Sequence, residues 1–199
     1  MPGLSHLKRG LLIGSFALVL LLSGCIGGDY ATKGVYGLLP DLKFDLVSET
    51  GQRITEADLK GSTVVVFFGF THCPDVCPTA MARLAAALDR VDQSIGEEVN
   101  VLFVSVDPGR DSPEMLGRYT DFFSEYIIGA TATEPELREM TKRYRATFGF
   151  DEPDQFGNYN VSHPSAMYVF DGSSRARAIF RPADTISDMA EDLRRISGS

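Results

Sequence analysis

The sequence predicts an α/β fold, with a mixed central sheet flanked by helices and entered through an N-terminal hairpin. Three observations carry this. Thr63–Phe68 is continuously apolar, as a strand covered on both faces must be. Val99–Val106 is a second β-branched run, and a helical pattern lies between the two, the arrangement of a β-α-β crossover. Beyond it, helix-start signals and strand-like runs follow to the end of the chain.

Leu42–Val47 alternates in a strand-like way, Ser48-Glu-Thr-Gly51 turns, and Arg53-Ile-Thr55 returns as the hairpin partner. Behind the central strand Pro78 opens a helix, since proline suits a first turn, and Met81, Leu84, Leu88 and Val91 recur at helical spacing. After the second strand comes the loop Asp107-Pro-Gly-Arg-Asp111. Ser112-Pro113-Glu114 combines a cap residue, a first-turn proline and an early acid, and its helix runs towards Tyr126. Thr133-Glu-Pro-Glu136 is a capping box whose helix ends near Phe148-Gly149. Asp151–Val161 is a polar loop. Ala166–Phe170 and Ala176–Phe180 form a hairpin about Asp171-Gly172, and a last helix spans Thr185–Ile196. Parallel strands joined through a helix place their carboxyl ends on one edge, where a site is expected.

Residues 1–25 read as an address. Lys8 and Arg9 give a positive start, Leu11–Leu22 is apolar apart from Gly14 and Ser15, and the run is too short to span a bilayer comfortably. Leu22-Ser23-Gly24-Cys25 resembles a bacterial lipobox, which implies cleavage before Cys25 and lipidation of its sulfur. An uncleaved anchor or an ordinary signal cut nearby is the alternative. The lipidated form belongs on the exported side of a bacterial cell envelope, anchored to the membrane. Residues 26–40 are glycine-rich and read as a flexible tether, leaving 41–199 as one domain. Without Lys8 and Arg9, 17 basic residues face 27 acidic ones, a formal charge of −10. So acidic a surface excludes nucleic acid as a partner.

With Cys25 assigned to lipid, Cys73 and Cys77 are the two cysteines that remain. They lie in Phe70-Thr-His-Cys73-Pro-Asp-Val-Cys77-Pro, between the central strand and the helix behind it. A helix start favours the thiolate, and thiolates bind soft metals or exchange disulfides. A structural staple is the bland alternative, but closing so short a ring constrains the unfolded chain little. His163, just before the Ala166–Phe170 strand, lies in a loop at the same sheet edge that could bring its ring to the cysteines. Two thiolates and an imidazole make a three-coordinate site suited to Cu(I) and tolerant of Cu(II), whereas zinc usually takes a fourth ligand.

Gly69-Phe-Thr-His-Cys73-Pro-Asp-Val-Cys77-Pro, then Val104-Ser-Val-Asp107-Pro-Gly-Arg-Asp111, then His163 ahead of Met167-Tyr168, resembles the Sco/SenC family of copper chaperones. The similarity runs from about Leu38 to Ser199. It implies a thioredoxin-like fold, membrane attachment, and metallation of the dinuclear copper site of cytochrome c oxidase subunit II. It also implies that Cys73, Cys77 and His163 are the copper ligands. Members commonly carry an acid directly before the ligand histidine, and this chain has Ser162 there, with Pro164 after. A carboxylate would orient the ring and raise its basicity, so one support is missing.

Other readings stand beside this one. Cys73 and Cys77 could serve as a redox pair, making the protein a thiol–disulfide oxidoreductase that keeps an acceptor's cysteines reduced. A peroxide-reducing enzyme on the same fold is a weaker third. His163 could be a hydrogen-bonding loop residue. His72 reads as structural, because adjacent residues seldom share one small metal. Asp107 and Asp111 read as turn-shaping, with support of the metal as the alternative, and Met81, Met115, Met140 and Met167 as packing.

Overall fold

The computed structural model describes residues 30–91 and 98–198. The predicted signal, Cys25 and the first tether residues lie outside the described residues. The strands are β1 (Lys33–Gly34), β2 (Asp45–Ser48), β3 (Arg53–Thr55), β4 (Thr63–Gly69), β5 (Val99–Ser105), β6 (Ile127–Thr131), β7 (Gly149–Phe150), β8 (Val161–Ser162), β9 (Met167–Phe170) and β10 (Ala176–Phe180). The helices are α1 (Val76–Leu88), α2 (Pro113–Asp121), α3 (Glu134–Arg143) and α4 (Ile186–Ser197). Among the described residues no helix is long and apolar enough to cross a membrane.

Eight strands make one sheet in the order β1-β10-β9-β4-β5-β6-β2-β3. It is mixed, as expected: β4 pairs parallel with β5 and β5 with β6, while β9 runs antiparallel to β4. Every residue of β4 is buried, which explains its unbroken apolar sequence. Helices α1 and α4 pack on each other, and α4 also touches β10 and β4. The N-terminal hairpin forms as predicted from β2 and β3, and β2 joins it to the sheet through β6. The β9–β10 hairpin is likewise where the sequence puts it.

Several boundaries differ from expectation: β2 starts at Asp45, not Leu42, and the polar loop expected over Asp151–Val161 is closed by the β7–β8 hairpin. The helix from Ser112 stops at Asp121, and Ile127–Thr131, not anticipated, forms β6. Gly129 blurs its strand pattern, yet a Cβ there would lie 2.9 Å from the Leu116 Cβ, so glycine is what lets α2 sit on β6. Helix α3 ends at Arg143, short of Phe148, because Arg145 turns into the left-handed region at φ 57°. Helix α1 starts at Val76, two residues before Pro78, which places Cys77 in its first turn.

The tether also differs. From Tyr30 onward residues 30–40 dock on the domain: Lys33 and Gly34 pair with Ile179 and Ala178, and Val35 is buried. The buried Asp192 carboxylate accepts the Ala31 and Thr32 amides, each at 2.9 Å, and the Thr32 hydroxyl at 2.6 Å. A two-residue edge strand held by an acid about 160 positions away leaves no local pattern to read.

Candidate metal centre

The carboxyl ends of β4 and β5 and the start of β9 share one edge, because Gly69 is level with Ser105 and Phe67 with Met167. The cysteine loop leaves β4 there and is pinned from the neighbouring strand. Asp111, 1% exposed, accepts the Thr71 amide at 2.8 Å, the Thr71 hydroxyl at 2.7 Å and the Ser105 hydroxyl at 2.6 Å. The Asp111 carboxylate thus fastens the cysteine loop, which goes beyond the turn-shaping expected of it. His72 stays at the surface, its Nδ1 3.4 Å from Asp111 Oδ1, and takes no part in the cluster below.

The first turn of α1 presents its amides to the loop. Cys77 N–H donates to Cys73 Sγ at 3.3 Å, so the helix start is anchored on that sulfur. Cys77 itself is fully buried, and burial above all pushes its thiol well above the usual range; the nearby Cys73 and Asp111 push the same way. A metal that binds this sulfur therefore has to displace its proton. Gly69 makes room for this sulfur: a Cβ there would lie 2.9 Å from Cys77 Sγ and 2.8 Å from the Phe103 ring.

His163 arrives from the other side, directly after β8. Its Nδ1 lies 2.9 Å from the Phe68 carbonyl oxygen and 3.0 Å from that of Pro164. Carbonyls only accept, so Nδ1 carries the hydrogen and Nε2 keeps its lone pair. That lone pair faces the two sulfurs, 3.4 Å from Cys77 Sγ and 3.7 Å from Cys73 Sγ. Phe67 and Phe70 wall the ring edge-on, with centroids at 5.9 and 5.6 Å. Burial lowers the imidazole's pKa, which keeps it neutral and able to ligate at neutral pH.

The three donor atoms lie within 4.8 Å of one another. A metal about 2.0–2.3 Å from each of three donors in a plane spaces them about 3.7–4.0 Å apart, and the two imidazole–sulfur distances, 3.7 and 3.4 Å, fall within a few tenths of an ångström of that spacing. Soft sulfur with imidazole suits copper in either common oxidation state. The acid missing before His163 is made good by backbone. The Ser162 hydroxyl turns away and donates to the Gly149 carbonyl at 3.3 Å, while the Phe68 carbonyl orients the ring. Sequence reasoning missed this carbonyl, which carries no side-chain signal, and it missed Gly69, whose place directly before the loop was the available hint.

The SCO1/SenC family model matches residues 40–198. Protein sco1 of Schizosaccharomyces pombe is 32% identical over 152 residues, covering 75% of this chain and 58% of that protein. Protein SenC of Rhodobacter capsulatus is 38% identical over 128 residues, covering 64% of this chain and 57% of that one. The chain thus spans little more than half the length of either relative. Among solved structures, Bradyrhizobium japonicum ScoI with copper bound superposes with a TM-score of 0.71 at 31% identity, over 78% of this chain and 98% of that one. The fold is thioredoxin-like, as the resemblance implied. With the match running through the sheet, the cysteine loop and the histidine arm alike, the chain belongs to the SCO1/SenC family.

Proposed function

We propose that Cys73, Cys77 and His163 hold one copper ion as cargo, and that the protein delivers it to the dinuclear copper site of cytochrome c oxidase subunit II. The observation that carries this is the Nε2 lone pair of His163, fixed by the Phe68 carbonyl and aimed between two sulfurs. A ring fixed in this way is already in its metal-binding form. Handover proceeds by ligand exchange: Cys73 lies at the rim and Cys77 at the floor, so an acceptor thiolate displaces Cys73 first. Oxidation of the pair removes both thiolates and releases the ion, which ties delivery to redox poise.

Lipidation at Cys25 holds the domain to the exported side of a bacterial membrane. Since residues 30–40 are docked, residues 26–29 set the reach, about 17 Å at full extension from Cys25 to Tyr30. So short a leash raises the local concentration of the centre around membrane-embedded acceptors.

Titration of the reduced protein with Cu(II) tests the ligand set. The His163→Ala variant is expected to bind about 50-fold more weakly, since loss of even an outer partner typically costs 10–100-fold. Equal affinity in variant and wild type would refute three-donor binding. A second reading draws on the two free thiols joined by the Cys77 N–H to Cys73 Sγ bond: a thiol–disulfide oxidoreductase that keeps the acceptor cysteines reduced. In that case metal-free protein reduces an oxidised acceptor peptide, and His163→Ala does so equally well.

A further inference from the structure

The loop after β5 is joined to the β7–β8 hairpin by a cluster of side chains that take no part in holding the ion. Asp107, 1% exposed, accepts the Tyr159 hydroxyl at 2.8 Å on Oδ1 and Arg110 Nε at 2.5 Å on Oδ2. Arg110 Nη1 donates to the Tyr159 carbonyl at 3.1 Å, and the guanidinium lies 3.8 Å over the Tyr159 ring. The same guanidinium lies 5.7 Å from the centroid of Phe70, the ring that meets His163 edge-on. Arg110 therefore reaches the imidazole by two routes, through the chain from Tyr159 to His163 and through Phe70.

The hairpin needs such a fastening. Its ladder is two residues long, Gly149 with Ser162 and Phe150 with Val161, and a two-stranded ribbon of that size does not hold its place unaided. His163 is the residue after β8. Where the hairpin sits sets where the His163 backbone enters the site, and the Phe68 carbonyl then orients the ring.

We infer that Arg110, with Asp107 and Tyr159, is the clamp that holds the histidine arm over Cys73 and Cys77. These are positioning residues for the third ligand and do not touch the metal. The inference rests on the copper-holding role proposed above. The guanidinium acts through its fork and its flat face, and an ammonium supplies neither.

The test is a double-mutant cycle on the full chain, read by Cu(II) titration and by the nitrogen hyperfine splitting of the bound Cu(II) signal. Arg110→Lys is expected to weaken binding about tenfold and to diminish the nitrogen splitting. In a His163→Ala background the same substitution is expected to change affinity by less than about twofold, because the arm it positions no longer carries a ligand. An equal tenfold loss in both backgrounds, or wild-type affinity and splitting in Arg110→Lys, overturns the clamp. Should wild type show no nitrogen splitting and His163→Ala bind as well as wild type, the three-donor centre fails and the clamp with it. Tyr159→Phe keeps the stacked ring and removes only the hydroxyl, so it serves if Arg110→Lys does not fold. About a threefold loss, confined to the histidine-containing background, is then expected, and no loss overturns the clamp.

Discussion

Replacing Cys77 by serine is expected to lower copper affinity at least about a thousandfold, roughly 4 kcal/mol. The change is small in shape and large in chemistry, since a hydroxyl at that position is a hard, protonated donor where a soft thiolate is needed. Cys77 is fully buried against Gly69 and Phe103, so the shorter hydroxyl sits there in place of the sulfur. What remains is one sulfur at the rim and one imidazole. Competition against a copper chelator under reducing conditions measures the loss. A Cys77→Ser variant that binds within tenfold of wild type would mean that the metal rests elsewhere.

Gly69→Ala is expected to destabilise the metal-free, reduced protein by about 3 kcal/mol in chemical denaturation, because the added methyl enters a filled interior. Its Cβ falls 2.8 Å from the Phe103 ring and 2.9 Å from Cys77 Sγ, and both side chains are fully buried with no space to retreat into. Relief requires the sulfur to move, so copper affinity falls together with stability. Gly129→Ala is the control. Its Cβ presses on Leu116 at 2.9 Å, away from the centre, so it costs stability and leaves the affinity of the folded protein alone. Equal metal binding by wild type and Gly69→Ala would show that this glycine serves packing only.

Local features were legible in the sequence, and distant convergence was legible only in part. Thr63–Phe68 and Val99–Val106 announce themselves through unbroken apolar character, and capping residues mark the starts of α2, α3 and α4. The cysteine pair is equally plain, spanning five residues from the loop after β4 into the first turn of α1. β6 was missed because Gly129, needed to admit Leu116, interrupts its strand pattern, and β1 because an acid 160 positions away, Asp192, holds it. His163 could be placed on the right edge from strand order, and its proposed part as a ligand came from resemblance. No pattern in the chain could reveal that a backbone carbonyl at Phe68 sets its tautomer, or that Arg110 and Tyr159, 49 positions apart, meet face to face.

The proposed function rests on three donors from two distant segments, Cys73, Cys77 and His163, closing on one ion. X-ray absorption at the copper edge of the loaded, reduced protein tests this most directly. Two sulfur scatterers and one imidazole nitrogen are expected, with the imidazole contribution lost in His163→Ala. A sulfur-only shell in the wild type, unchanged by His163→Ala, would contradict it.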